Sequence, residues 1–254
     1  MRRWTHEVDP SWLKARQRVL TATDVSGLMP EYKRYLKAGS PDKIMPGFAA
    51  LWAQKHYEGE LDTSAPSPAA ARGHIMEPWA VESWNKQCAP FMYHWDDCVI
   101  TNGLLGFSPD AMDVSQYACV PRVDYTAVQP TAIMEIKCYG VESHMKSIVE
   151  DRMEHKELMQ VAMAFAVFPN LEKVYLVFFC PDAPISMYIE EYTKDDLHDQ
   201  CRLIVGIGDV FIKQGQLCKK LAKSNSYNAL CTEQEVWDSF VKEQAANSDF
   251  ILTK

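Results

Sequence analysis

Three places in the chain set acidic side chains where a metal-dependent hydrolysis could use them. The first is Ser108-Pro109-Asp110, just past the stretch that opens at Gly103. The second is Glu135-Ile136-Lys137, inside an apolar run. Side chains two apart on a strand share a face, so Glu135 and Lys137 project together while Ile136 turns into the core. Two carboxylates on neighbouring strands can grip a hard cation through oxygen. A magnesium ion held so keeps open water positions, acidifies a bound water and neutralises charge on a phosphate. A lysine beside it can orient the attacking water and stabilise the charge of the transition state. The third place is Arg72-Gly73-His74-Ile75-Met76-Glu77, a carboxylate in the opening of a helix. Taken alone, Glu-x-Lys also describes a solvated pair, Ser-Pro-Asp a turn, and Arg-Gly followed by Glu an ordinary helix start. The order separates them from that background. A helical glutamate precedes Pro-Asp, then Glu-x-Lys on an apolar strand, then a helix with polar Gln160 on an apolar face.

The elements that must carry these residues follow from periodicity. Residues 10 to about 36 are expected to form one helix, with Asp9 or Ser11 as cap and Trp12, Ala15 and Val19 on one face. Residues 41–56 and 73–87 read as further helices, joined by a Gly-, Ser- and Pro-bearing loop over 57–71. Past Pro90 the pattern turns to strands: 91–95 and 98–100, linked by Asp96-Asp97, then a turn and strand over 103–114, then 132–138. A single helix is expected over 143–168, ended by Pro169-Asn170. Strands at 173–180 and 185–192 follow, the first so apolar that it belongs at a sheet centre. A long helix over 194–223 has Gly206 and Gly208 weakening its middle, and a short helix is expected over 233–244. This alternation predicts one α/β (α+β) domain over residues 1–254. Its parts are a helical N-terminal region (1–70), a core around one sheet (71–192) and C-terminal helices (193–254).

The ordered set resembles the PD-(D/E)xK nuclease superfamily, and within it the lambda-exonuclease-like, YqaJ-type viral recombinases. The resemblance runs over residues 12–180. Ser108-Pro109-Asp110 with Glu135-Ile136-Lys137-Cys138 is similar to the family's central pair of motifs, and Arg72-Gly73 with Glu77 to its helical glutamate motif. Trp12-Leu13-Lys14-Ala15-Arg16 with Leu20-Thr21-Ala22-Thr23 resembles the N-terminal segment, and Leu158-Met159-Gln160-Val161 the glutamine helix. The resemblance implies a restriction-endonuclease-like core, a central mixed sheet flanked by helices. It implies that Asp110, Glu135 and the Ile136 carbonyl hold Mg2+, which Mn2+ replaces, that Lys137 positions water, and that Glu77 serves a second metal or its water. Gln160 would support the site or the scissile phosphate. Arg16, Thr21 and Thr23 would grip a terminal 5′-phosphate, a task the guanidinium fork suits. The activity implied is 5′-to-3′ digestion of one strand of linear double-stranded DNA, leaving 3′ overhangs for phage-type recombination by strand annealing. A homotrimeric ring, a phage single-strand annealing protein as partner, and a phage or prophage origin go with it. Two features depart from the family pattern. Residues 111–134 replace a tight hairpin, with 117–129 expected to bulge as a surface insertion or a DNA-contacting loop, and Glu157 stands where an aromatic residue is common.

Composition narrows the classes. The chain has 254 residues, 47% hydrophobic and 24% charged, ordinary for a globular protein. With charged residues at the start no signal peptide is expected, and the longest uncharged apolar run, Val174 to Cys180, is too short to span a bilayer. A cytoplasmic protein without a membrane partner is expected. A formal charge of −8 argues against bulk electrostatic binding of nucleic acid but leaves room for a local basic channel. Eight cysteines include no C-x-x-C pair, so free thiols are expected. His74, His144 and His155 read as solvated, and Lys213, Lys219, Lys220 and Lys223 as a helix-end run or a DNA contact. Trp52 and Trp79 read as core, subunit contact or stacking platforms. Three other functions compete. An iron–sulfur, Cas4-like nuclease is disfavoured because Cys201, Cys218 and Cys231 are widely spread. A restriction-like endonuclease shares the metal chemistry, and a non-catalytic DNA-end-binding module would keep only the fold.

Overall fold

The computed structural model describes residues 10–39, 42–56, 67–95, 98–115, 122–150 and 155–224. Four helices come first: α1 (Pro10–Gln17), α2 (Ala22–Lys37), α3 (Pro46–His56) and α4 (Pro68–Gln87). Six strands follow: β1 (Tyr93–His94), β2 (Val99–Asn102), β3 (Leu105–Phe107), β4 (Ala111–Met112), β5 (Arg122–Asp124) and β6 (Ala132–Lys137). Then come α5 (Val141–Glu150), α6 (His155–Val167), β7 (Lys173–Phe179), β8 (Met187–Tyr192) and α7 (His198–Ser224). The expected Asp96-Asp97 link, the tail helix over 233–244, Cys119 and Cys231 lie outside the described residues, as do most of the 57–71 loop and part of the 117–129 insertion.

The main sheet has the order β1-β4-β6-β7-β8. It is mixed: β6 and β7 run parallel, the crossover being α5 and α6, and the other neighbours pair antiparallel. Alternation gives it two covered faces. Met134, Ile136, Val177 and Phe179 pack against Ala80, Val81 and Trp84 of α4. Ile133, Leu176 and Phe178 join Met159, Ala162 and Phe165 of α6 on the other side. Because both faces are buried, β7 is a near-continuous apolar run, as expected of a central strand.

The expectation of one sheet is corrected: β2 and β3, with β5, form a second, three-stranded sheet in the order β3-β2-β5. Its hairpin turns at Gly103, whose φ of +62° is a left-handed conformation that glycine adopts without strain. Ser108-Pro109 is the corner where the chain leaves β3 for β4 and changes sheets.

The single helix expected over 10–36 is two. Thr21 caps α2 in a capping box with Asp24, so the chain must leave helical geometry just before it. Leu20 instead bridges to Leu105, its N–H donating to the Leu104 carbonyl at 2.8 Å. Gly106 makes this close approach possible, since a Cβ there would collide with Val19. The helix expected over 143–168 is likewise α5 and α6, with residues 151–154 outside the described set. α7 runs unbroken through Gly206 and Gly208, and close packing accounts for two of its glycines. Gly206 lets Tyr32 of α2 pack closely and Gly215 does the same for Trp52 of α3, where side chains would clash. Trp52 is therefore core, and Gln214 ties α7 to the segment before α3 by accepting the Met45 N–H at 2.6 Å. Trp79 is 58% exposed and belongs to no core.

Candidate active site

Strand pairing aligns the two central carboxylates. β4 pairs with β6 through Ala111↔Met134 and Met112↔Ile133. One step further along that register sets Asp110 beside Glu135. Asp110 Oδ2 accepts the Ile136 N–H at 2.6 Å, which pins the carboxylate to the neighbouring strand. Glu135 is 3% exposed and accepts from Lys137 Nζ on Oε1 at 2.7 Å. Asp110, Glu135, Glu77 and Gln160 line one cleft. Lys137 stands behind that lining, bound to Glu135.

The N-terminal helices contribute to the same cleft. Arg16, Thr21 and Thr23 line the same cleft, joined by Trp12, whose ring lies 5.1 Å from the Arg16 guanidinium carbon. The break at residues 18–21 and the Gly106 approach carry α1 and the start of α2 across the Pro-Asp corner. Thr21 is committed to its cap. Its hydroxyl donates to Asp24 Oδ2 at 2.8 Å, and Lys55 Nζ meets the same oxygen at 2.7 Å. Thr23 stands exposed on the first turn of α2.

Charge in the cleft is unevenly shared. Burial raises Asp110 well above the ordinary carboxylate value, and Glu135 and Glu77 add to this. Burial would also raise Glu77, but His74 and His94 hold its carboxyl down at about 2. Their ring nitrogens lie 3.6 Å (His74 Nδ1) and 3.9 Å (His94 Nε2) from Glu77 Oε2. Desolvation lowers Lys137, yet Glu135 and Asp110 more than reverse it, so the ammonium stays charged. Burial lowers the Arg16 guanidinium, opposed by the negative charge of Asp24, Glu135 and Asp110.

Two histidine expectations are corrected. His74 is only partly exposed: it lies within α4 rather than at its start and turns toward Glu77. His144 is wholly buried, its Nε2 2.7 Å from the Ile185 carbonyl, because α5 packs down onto the segment before β8. His155 is exposed. Lys213 pairs with Asp42 at 3.0 Å over the Tyr35 ring, Lys220 is exposed, and the Lys223 side chain lies outside the described set. The six described cysteines are free thiols. Sequence reasoning missed His94 and Trp95. His94 stands on the two-residue strand β1, but its partner Glu77 belongs to another element and no local spacing announces the pair.

Among the described residues no three His, Cys, Asp or Glu side chains form a ready-made metal-ligand group. Magnesium does not need one, because it binds through one or two carboxylates and keeps several waters. Asp110 and Glu135 meet that requirement. Each is held through one oxygen among the described contacts, and the Ile136 carbonyl adjoins them. The surplus of buried negative charge around Asp110 is what a divalent cation would offset.

No protein-family model matches the chain, and no curated protein is similar to it. Two solved structures are similar. One is an alkaline exonuclease (LHK-Exo) from Laribacter hongkongensis, with a TM-score of 0.55. The other is LHK-Exo in complex with dAMP, with a TM-score of 0.57. Each is 17% identical, over 85% of this chain and 99% of that chain. This likeness shows the fold: a mixed α/β architecture of the PD-(D/E)xK type.

Proposed function

We propose that this chain is a metal-dependent deoxyribonuclease that digests one strand of linear double-stranded DNA from a 5′ end, leaving 3′ single-stranded overhangs. The observation that carries this reading is the alignment of Asp110 and Glu135 across β4 and β6 on one cleft that Arg16 also lines. The fold shared with an alkaline exonuclease supports it. Asp110, Glu135 and the Ile136 carbonyl would hold Mg2+, or Mn2+ in its place, with Glu77 toward a second ion or its water. The bound ion would supply Lewis acidity and a water acidic enough to attack phosphorus. Lys137 orients that water and offsets charge on the phosphoryl oxygens. Gln160 donates to the scissile phosphate. Arg16 receives the terminal 5′-phosphate through two parallel hydrogen bonds, and Thr23 adds a hydroxyl. Since the Thr21 hydrogen is committed to Asp24, Thr21 shapes this pocket through the cap and offers only its oxygen to the cleft.

The 3′ overhang is the substrate of strand annealing, so a phage-type recombination role with an annealing partner in a bacterial cytoplasm follows as part of this reading. A ring-shaped homotrimer with a basic bore and an acidic exterior reconciles the charge of −8 with DNA as substrate.

Three substrates test the proposal with Mg2+ present: 5′-phosphorylated linear duplex, 5′-hydroxyl linear duplex and circular plasmid. Digestion of the first, slower digestion of the second and an intact third are expected. Cleavage of the circle would favour a restriction-like endonuclease, and binding without cleavage a DNA-end-binding module.

A further inference from the structure

Resting on the nuclease reading of the cleft, we propose that Lys55 is a positioning residue for the pocket that takes the terminal 5′-phosphate. By holding Asp24 it keeps the cap of α2 in place and cancels a negative charge beside an anion's site. Phe48, Trp52 and Lys55 stand four and three residues apart on α3 and so share one side of the helix. Phe48 and Trp52 are core, and the Lys55 side chain is only 10% exposed. A lysine in a buried row needs an opposite charge, since an unpaired ammonium out of water is costly. Asp24 is that charge: Lys55 Nζ lies 2.7 Å from its Oδ2, and its own side chain is 17% exposed. The same oxygen accepts the Thr21 N–H and the Thr21 hydroxyl, each at 2.8 Å. Thr21, Ala22 and Thr23 line the cleft that Arg16 also lines. One residue before Lys55, the Gln54 carbonyl accepts from Gln17 Nε2 at 3.4 Å. The end of α3 thereby meets the end of α1 and the start of α2, the two elements that carry the phosphate-binding residues.

Asp24 serves the cap at an electrostatic cost. A phosphate monoester brings a charge of about −1.5 to −2 at pH 7, and a carboxylate bonded to a residue of the pocket repels it. The capping bonds supply donors but no compensating charge. Lys55 supplies it, and because the pair is largely withdrawn from water the compensation is weakly screened. Asp24 also leads the negative charges that act on Arg16, so without Lys55 it would compete with the phosphate for that guanidinium. A lysine that only joined α3 to α2 would affect stability, and all substrates alike. One that serves the phosphate pocket affects the choice between a 5′-phosphate and a 5′-hydroxyl.

The test compares kcat/KM on 5′-phosphorylated and 5′-hydroxyl linear duplex for the full chain in Mg2+, with thermal midpoints measured alongside. Lys55→Gln keeps a donor for Asp24 but removes the charge. The ratio of the two values, the phosphate preference, should fall about tenfold, with the loss confined to the phosphorylated duplex. On the hydroxyl duplex the value should stay within about twofold. Lys55→Arg, which keeps the charge, should keep the preference. Adding Asp24→Asn to Lys55→Gln removes both charges and retains an acceptor for the Thr21 N–H, so most of the preference should return. That neutral pair leaves no buried charge uncompensated and guards against a Lys55→Gln protein that fails to fold. An unchanged preference in Lys55→Gln, a loss shared equally by the two substrates, or a preference still lost in the double variant overturns the inference while leaving the nuclease reading intact. An unsubstituted chain that cuts duplex without regard to the 5′ group removes the phosphate pocket and this inference with it. One that cuts no duplex overturns the nuclease reading as well.

Discussion

At the residue scale, the cleft carries charge that folding alone would not choose. Asp110 is raised well above its ordinary value of 3.8 by burial and by Glu135 and Glu77. The folded protein therefore keeps a proton that the unfolded chain gives up, and this contribution to stability falls away as pH climbs above that value. Asp110→Asn removes the conflict. It should raise stability at neutral pH by roughly 0.5–2 kcal/mol, read as a higher Tm, while activity drops by more than about a hundredfold. Because a cation must displace that proton, half-maximal activity should need less Mg2+ as pH rises. Glu77 runs the other way. Its carboxyl, held at about 2 by His74 and His94 against burial, contributes stability above its ordinary value of 4.5, and that contribution is lost as pH falls toward 2. Asp110, Glu135 and Lys137 were legible as a motif because strand alternation and two short signatures fix their faces. Of the imidazole pair on Glu77, His74 lies three residues away on the same helix, but His94 comes from β1, whose approach only packing decides.

At the element scale, the site depends on a break that helical periodicity concealed. Residues 10–36 carry apolar spacing good enough for one helix, but Thr21 and Asp24 form a capping box, and Leu20 leaves to pair beside β3. The signal was present in the Thr-x-x-Asp spacing. What sequence could not supply was the glycine opposite, which matters through space. Gly106→Ala should force Val19 aside, costing about 1–3 kcal/mol in an overpacked core and lowering activity by displacing the N-terminal part of the cleft. Denaturant unfolding and digestion assays on that one variant check both. The second sheet was hidden for a related reason: β2, β3 and β4 are two to four residues long, too short for alternation to say which partner each takes. Gly206 of α7, read as a weak point, instead admits Tyr32, and Gly215 further along admits Trp52. A helix propensity describes an isolated helix, and close packing reverses its sign here.

At the scale of the whole molecule, both faces of the main sheet's central strands are covered, and α2 and α3 pack on α7, so cleft and core share one stability. Burial holds His56, between Trp52 and Phe211, down at about 4. The folded state keeps this ring neutral, so its contribution is whole above 6.5 and is lost as pH falls from there to about 4. Acid unfolding monitored by circular dichroism should begin in that window, and His56→Phe should delay it. A cation that binds only the folded chain stabilises it by mass action, about 2.7 kcal/mol at a hundredfold excess over Kd. Mg2+ should therefore raise the Tm of the unsubstituted protein and leave that of Asp110→Asn nearly unchanged.

Nucleotide release from 5′-phosphorylated linear duplex, followed with Mg2+ and again with excess chelator for the unsubstituted chain and Glu135→Gln, probes the carboxylate pair most directly. Release that requires Mg2+ and vanishes in Glu135→Gln is the expected result. Undiminished release by Glu135→Gln, or release that persists in chelator, would contradict the account.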